Sequence, residues 1–267
     1  MKKFYLKRST LGIPYILFLS LFVIAPLIII CYYAFTNGAG QFTLQNLTAF
    51  FTSGDAIGTL IYSLLVAVVT TIVCLLIAYP VAFILAKGGY KRGNVLLMLF
   101  IMPMWINFTL RITALKEILT LLEGNLAFHP FLNTILGMTY DFLPFMILPL
   151  YNTLVKIDSS YTEAASDLGA KTSHVFFKVI LPLSIPGIVS GVTMVFLPAM
   201  TNYVVLDMMY NSTYIMGSLI GSYFNAYDWN NGSLISLILL ILMLIISWIT
   251  GEFTDSDETT GGASLKQ

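Results

Sequence analysis

The chain has 267 residues, of which 58% are hydrophobic and only 10% are charged. A soluble domain is charged at about 25% of its positions, so this composition excludes an ordinary soluble protein and indicates an integral membrane protein. The formal net charge is zero, which gives no basic surface of the kind that binds nucleic acids.

Six apolar segments are long enough to cross a bilayer as helices, because one crossing takes about 20 residues. The first follows a basic N-terminus, and a signal peptide is the competing interpretation. Its apolar run is too long for a signal sequence, so we expect an uncleaved helix. We predict an all-α integral membrane protein with one transmembrane domain over residues 1–251. The predicted spans are residues 11–35, 57–86, 93–112, 131–155, 184–206 and 232–250.

The positions of lysine and arginine predict the orientation of these spans. With the N-terminus inside, eleven of the thirteen basic residues lie in cytoplasmic segments, and only Arg111 and Lys116 lie outside. Both termini are therefore predicted to be cytoplasmic. The polar, acidic tail at residues 252–267 is predicted to be disordered.

The cysteines and histidines do not suggest a metal site. Cys31 and Cys74 fall inside apolar segments and are expected to pack as small hydrophobic residues. His129 and His174 are far apart and have no partners at ligand spacing. We therefore expect no disulfide and no bound metal.

The loop at residues 156–183, called the EAA segment below, contains the motif EAASDLGAKTSHVFFKVILP. Ser160 and Glu163 have the spacing of a capping box, and Gly169 is placed to end a short helix in a left-handed conformation. Thr172 or Ser173 can cap a second helix, which Pro182 would close. Capping and termination alone would explain Glu163 and Gly169, but they do not explain an ordered helix–glycine–helix unit in a loop.

The spacing of this motif resembles the signature loop of ABC-importer permeases. The pattern is Glu-Ala-Ala, three residues, glycine, nine residues, an aliphatic residue, any residue and Leu-Pro, with Val179 where isoleucine is usual. The resemblance implies the type I importer permease fold, in which the two short helices form a coupling helix that docks in a groove of the ATPase. The matching residues are Glu163, Ala164, Ala165, Gly169, Leu181 and Pro182.

Several other stretches are similar to the spermidine/putrescine permease subfamily, over about residues 12–250. They include AYPVAFILAK, MPMWINFTLRITAL, LPFMILPLY and LPAMTNYVVLDMM. The resemblance implies a polyamine importer in the bacterial inner membrane, assembled with a second permease, two ATPase copies and an external polyamine-binding protein. The chain has no P-loop pattern. We therefore expect no enzymatic activity and no cofactor of its own, with ATP and Mg²⁺ bound by the ATPase.

Polyamines suit carboxylates placed between aromatic rings, which combine charge pairing with cation–π contacts. Asp141, beside Tyr140 near the middle of the fourth span, is a candidate for the substrate path. It could instead pair with Arg111 or a neighbouring subunit, and the subfamily usually has an apolar residue at this position. Asp207 is a second candidate, with Tyr203 four residues before it. Val204 replaces the second aromatic of the subfamily pattern there.

Trp105 and Asn107 follow Pro103, which is expected to bend the third span. Trp105 is equally well interpreted as a cation–π surface or as a packing residue. Arg111 would repel a polyamine, so we expect it in a salt bridge or in contact with the binding protein. Asp228 and Trp229, in the loop before the sixth span, are also candidates for contact with the binding protein.

Two other functions remain open from the sequence. An importer of this class could carry another solute, such as ferric iron or an oxyanion. An oxyanion path would need basic residues at membrane depth, whereas the candidates here are acidic. A cation-coupled secondary transporter, in which Asp141 titrates, belongs to a different class and would have no use for the EAA segment.

Overall fold

The computed structural model describes residues 13–89, 93–209 and 212–261. The start of the first predicted span, residues 11 and 12, and the last tail residues, 262–267, lie outside these ranges. Every regular element in the described ranges is helical. The α-helices are α1 (Ile13–Leu19), α2 (Ala25–Ala34), α3 (Gln45–Thr52), α4 (Gly54–Lys87), α5 (Gly93–Ile101), α6 (Phe108–Glu123), α7 (Pro130–Lys156), α8 (Ser159–Asp167), α9 (Thr172–Val175), α10 (Leu181–Leu183), α11 (Ile185–Ala199), α12 (Tyr203–Met208), α13 (Met216–Asn225) and α14 (Trp229–Gly261).

Short helical turns of other types connect some of these elements. π-helical turns at Ser20–Ile24 and Phe176–Ile180 join α1 to α2 and α9 to α10. 3₁₀ turns occur at Met102–Trp105 and Leu126–Phe128.

Within the described ranges, four helical stretches are long and apolar enough to cross a membrane singly: Pro14–Ala34, Gly54–Lys87, Pro130–Lys156 and Trp229–Thr250. Two bent pairs also pass this test, Gly93–Trp105 with Phe108–Glu123 and Thr172–Leu183 with Ile185–Ala199. The chain is therefore a multi-pass membrane protein, with six spans if each bent pair crosses once.

The third predicted span, residues 93–112, differs from the structure. The chain bends by 96° between Trp105 and Phe108, where Ile106 is extended. The side chain of Asn107 accepts a hydrogen bond of 2.9 Å from the Thr109 amide and so starts a new helix, which continues to Glu123. The helix thus breaks at Ile106 and a new one starts at Asn107, although the apolar character of the sequence continues across the break.

The fifth and sixth predicted spans differ at their ends. α11 stops at Ala199 instead of residue 206, one residue after Pro198, which has no N–H to donate to the preceding turn. α12 then forms separately. α14 continues to Gly261, through the first ten residues of the tail that was predicted to be disordered. Extending an existing helix is far easier than nucleating a new one.

The chain forms two compact units. One comprises Met1–Gly58 with Ser218–Leu242, and the other comprises Thr59–Gly217 with Met243–Gln267. In the first unit, the side-chain amide of Asn46 donates to the Ala34 and Thr36 carbonyls, and that of Asn230 donates to Thr36. These bonds satisfy carbonyl groups at the end of α2 that the helix itself leaves unpaired.

The core of the second unit is the contact between α7 and α11. A Cβ added at Gly187 would lie 2.8 Å from Thr153 Cβ, and one added at Gly191 would lie 2.6 Å from Met146 Sδ. Small residues therefore allow the two backbones to approach closely, as is usual for helix pairs in membranes.

Candidate functional site

α8, the first helix of the EAA segment, begins at Asp158, a cap that differs from the predicted one. The Asp158 side chain accepts a 2.9 Å hydrogen bond from the Ser160 amide. Hydrogen bonds from Ser160, with a smaller contribution from the charge of Lys87, lower the pKa of Asp158. The predicted capping box of Ser160 and Glu163 is wrong, because the helix starts too early for Glu163 to reach back to its N-terminus.

Gly169 ends α8 in the predicted left-handed conformation, with φ at +80°. Its amide donates to the Ser166 carbonyl at 2.8 Å, and the Ala170 amide donates to the Ala165 carbonyl at 3.1 Å. This pair of bonds is a Schellman motif. An added Cβ would meet nothing within 4 Å, so the backbone conformation, rather than space, requires glycine here.

The second half of the EAA segment runs through α9, the π turn and α10. Neither Thr172 nor Ser173 caps α9, because the preceding residue, Lys171, holds the N-cap position without a side-chain bond. Pro182 lies in the first turn of α10 and does not end it. The break falls at Ser184, where the chain bends by 62° into α11.

One face of the EAA segment is open and partly apolar. Glu163, Ala164 and Gly169 are exposed, and Leu168 is 89% exposed. A cleft of about 650 Å³ is lined by residues from both halves of the segment, among them Ala165, Leu168, Gly169, His174 and Val179. The small side chains keep this cleft accessible, so the face can receive an apolar side chain from a partner protein.

Lys87, in the last turn of α4, anchors the start of the EAA segment. Its ammonium donates a 2.5 Å hydrogen bond to the carbonyl of Ile157, the residue that ends α7. A cation near the C-terminus of a helix also interacts favourably with the helix dipole. Lys87 therefore links α4 to the junction between α7 and α8.

Asp141 is paired with Arg111, which is one of the alternatives left open by the sequence. Arg111 Nη2 lies 2.5 Å from Asp141 Oδ1, and both side chains are at least nine-tenths buried. The guanidinium carbon also lies 5.9 Å from the centre of the Tyr140 ring. Two other guanidinium nitrogens, Nε and Nη1, have no hydrogen-bond partner among the described residues. The predicted salt bridge of Arg111 is thus present, although in the protein interior.

Tyr203 and Asp207 share the exposed face of α12. They lie one helical turn apart, whereas Val205 and Leu206 face the interior. α12 packs against both α6 and α7, and the Val205 side chain lies beside Gly137 of α7. The helices that carry Arg111, Asp141 and Asp207 are therefore neighbours.

The remaining candidates have separate positions. Trp105 is 83% exposed at the end of its 3₁₀ turn, and Asn107 serves as the cap of α6. Asp228 accepts hydrogen bonds from the Asn231 amide and side chain near the start of α14. Sequence reasoning missed Asp158 and Lys87. The Asp-x-Ser spacing of residues 158–160 was the available signal for the cap.

The helical architecture and the exposed EAA segment define a class of protein, the membrane-spanning subunits of ABC importers. Solved structures with this fold include a bacterial ABC transporter involved in the import of the acidic polysaccharide alginate, with a TM-score of 0.68, 14% identity and coverage of 93% of this chain and 94% of that one. A second alginate transporter structure, in complex with an alginate pentasaccharide-bound periplasmic protein, has a TM-score of 0.72, 12% identity and coverage of 92% and 93%.

The family model for binding-protein-dependent transport system inner membrane components matches residues 78–253. The chain belongs to this family. Among curated proteins, it is 36% identical to the spermidine/putrescine transport system permease protein PotB of Haemophilus influenzae, over 86% of this chain and 88% of that protein. It is 38% identical to the Escherichia coli protein of the same name, over 71% of this chain and 76% of that protein.

Proposed function

We propose that the chain is a permease subunit of an ATP-driven importer of polyamines such as spermidine and putrescine. It forms the translocation path with a second permease subunit, and a separate ATPase drives it through the EAA segment. The observation that carries this proposal is the EAA segment itself, a capped helix, a left-handed glycine and an open apolar cleft in a chain of this family. A secondary transporter would not need such a surface.

The proposed assembly contains a second permease, two ATPase copies that bind ATP and Mg²⁺, and an external polyamine-binding protein. The family description, with its reference to binding proteins and the inner membrane, supports these partners and this location. The alginate transporter bound to a periplasmic protein supports the same arrangement. The distribution of basic residues supports cytoplasmic termini and a cytoplasmic EAA segment.

The polyamine substrate is supported by the names of the relatives and by the acidic and aromatic side chains of α12. Tyr203 and Asp207 are both exposed on one face, so an ammonium group could contact the carboxylate and the ring together. Trp105 offers a further exposed ring. Asp141 is less suited to bind the substrate directly, because its carboxylate is already engaged by Arg111.

The test is uptake of labelled spermidine by the complete complex reconstituted in liposomes, with ATP supplied on the ATPase side. Putrescine, ferric iron and sulfate serve as competitors. We expect ATP-dependent uptake that putrescine inhibits and that the other two solutes do not affect. Hydrolysis of ATP without polyamine uptake would contradict the substrate, and inhibition by ferric iron would instead indicate an iron importer. Uptake without any ATPase would contradict the importer class.

A further inference from the structure

The bend at Ser184 separates the EAA segment from α11. Thr172–Leu183 and Ile185–Ala199 meet there at 62°, and Ser184 is completely buried. A buried hydroxyl without partners would destabilise the protein, so the bonds that this serine makes define the structure of the bend.

The Ser184 hydroxyl takes part in a chain of two hydrogen bonds. Its Oγ donates to the Leu181 carbonyl at 2.8 Å and lies 2.9 Å from the Tyr79 hydroxyl. Serine has only one hydroxyl proton, and that proton is used on Leu181. Tyr79 must therefore be the donor to Ser184, which fixes the direction of the chain from α4 through Ser184 to α10.

An aromatic cluster fastens the same part of α4 to the π turn before the bend. The Phe176 ring packs edge-on against Tyr79, at 5.7 Å between centres, and against Phe83, at 5.5 Å. Tyr79 and Phe83 are one turn apart on α4, and such edge-to-face pairs stabilise a defined geometry. The segment on the EAA side of the bend is thus attached to α4.

The other side of the bend is attached to a different helix. Gly187 and Gly191 of α11 lie in close contact with Thr153 and Met146 of α7. Ser184 consequently sits where a segment held by α4 meets a helix held by α7. A displacement of the EAA segment reaches α11 directly along the chain, but it reaches α4 through side chains.

We propose that Tyr79 is a positioning residue for transport, because its hydrogen bond to Ser184 makes α4 move together with the EAA segment. This inference rests on the proposed function, in which ATPase motion enters at that segment. Breaking this bond in the apolar interior would separate the buried Tyr79 hydroxyl from its partner, which is costly, so the pair stays joined when the segment moves. ATP-driven motion is then delivered to two membrane helices instead of one.

The test uses the complete reconstituted complex with three variants, Tyr79→Phe, Ser184→Ala and the double change. Tyr79→Phe removes only the hydroxyl and keeps the ring that Phe176 contacts. ATP hydrolysis and spermidine uptake are measured in the same liposomes. Each single variant should lower uptake per ATP hydrolysed by about 2- to 10-fold, the range expected for one net hydrogen bond. The double variant should resemble Ser184→Ala, because that change already removes the bond to Tyr79 together with the bond to the Leu181 carbonyl.

Tyr214→Phe is the matched control, because it removes a hydroxyl from a ring that is more than half exposed, and it should leave the ratio unchanged. A parallel loss of hydrolysis and uptake in Tyr79→Phe would overturn the inference, since it would indicate general damage. An unchanged ratio of uptake to ATP hydrolysis in Tyr79→Phe would also overturn it. So would a double variant that loses more of this ratio than Ser184→Ala does. If the wild-type complex hydrolyses no ATP, the proposed function itself fails.

A distance measurement tests the same link without depending on the substrate. Spin labels are placed at positions 76 and 167, both exposed, in a complex with Cys31 and Cys74 replaced by alanine. With Tyr79 present, the distribution of distances between the two labels should stay narrow on addition of ATP. The Tyr79→Phe change should broaden this distribution. Equal widths in the two proteins would contradict a mechanical link through Tyr79.

Discussion

Arg111 on α6 and Asp141 on α7 form an ion pair in the protein interior, with 2.5 Å between Nη2 and Oδ1. Transfer of both charges out of water is costly, and only their close pairing offsets that cost. The pair therefore holds α6, the helix that begins after the 96° bend, at a fixed position on α7.

We first predict that Arg111→Met destabilises the protein strongly. It leaves the Asp141 carboxylate buried without its partner, which costs about 3–5 kcal/mol. The free energy of unfolding in detergent, measured with a denaturant, is the appropriate readout. The double variant Arg111→Met/Asp141→Leu should recover most of the loss, because no isolated charge remains.

Glu117→Gln is the control for this prediction, because Glu117 is an exposed charge on the same helix. It should change the free energy of unfolding by less than about 0.5 kcal/mol. A single Arg111 variant as stable as the double variant would show that the ion pair does not fix α6.

The second prediction concerns Gly169, whose φ of +80° is unfavourable for most side chains. Gly169→Val should strain the end of α8 by about 1–2 kcal/mol and reduce uptake per ATP hydrolysed. Gly169→Asn should be milder, because asparagine tolerates left-handed conformations. The two variants are compared in the reconstituted complex, and equal behaviour of Asn and Val would contradict a conformational role.

The third prediction is a pH dependence of α8. The pKa of Asp158 is lowered from its ordinary value of 3.8, first by its hydrogen bonds from Ser160. The ionised cap therefore stabilises the helix fully above about pH 4, and this contribution is lost as the pH falls through the lowered pKa. Amide hydrogen exchange over residues 159–162, corrected for its intrinsic pH dependence, should show fraying on acidification.

Asp158→Asn should largely abolish this pH dependence while it keeps a good cap. Asp167→Asn, at the other end of α8, should retain the dependence, because an acidic residue at a helix C-terminus gives no stabilisation. If Asp158→Asn frayed at the same pH as the wild type, another group would be responsible.

The fourth prediction tests the contact between α7 and α11. Gly187→Ala would place its methyl group against Thr153 Cβ and Oγ1 and near the Pro149 carbonyl, so the helices must separate. Overpacking of this kind typically costs about 1–3 kcal/mol, and the melting temperature in detergent should fall. Gly221→Ala is the control, because an added Cβ there meets nothing within 4 Å. Equal melting temperatures for the two variants would contradict tight packing at Gly187.

The fifth prediction concerns the exposed face of α12. If Asp207 attracts the cationic substrate, Asp207→Asn should raise the KM for spermidine uptake about 5- to 20-fold, as expected for loss of one charged contact. Tyr203→Phe should retain most activity and Tyr203→Leu should not, because the ring is the cation–π surface. Unchanged KM values would remove α12 from the substrate path.

The sequence predicted some features that depend on local chemistry, although it placed the cap of α8 at Ser160 instead of Asp158. Gly169 was identified because a left-handed helix end nearly requires glycine, and the apolar segments identified the helices that cross the membrane. A bend in the third span was expected from Pro103, but the new helix that Asn107 caps was missed, because hydropathy averages over a window and does not register a single capping residue. The length of α6 was missed because Lys116, Glu117 and Glu123 make its second half too polar for a search based on apolar segments.

Contacts between distant parts of the chain could not be predicted with the same certainty. The sequence suggested a partner for Asp141, but only the packing of α6 on α7 shows that Arg111 lies within reach and is buried. The link from Tyr79 to Ser184 joins residues more than 100 positions apart. No periodicity within either segment indicates that pairing.

The 34 residues of α4 have a consequence for the lipid environment. At about 1.5 Å per residue the helix extends about 50 Å, well beyond a hydrocarbon core of about 30 Å. The charged end at Lys87 and the joint at Tyr79, about 12 Å away along the helix, belong to the part nearest the membrane surface. A change in bilayer thickness alters the tilt of a long helix. Lipids with shorter or longer acyl chains should therefore change the uptake per ATP hydrolysed, although they make no contact with the ATPase.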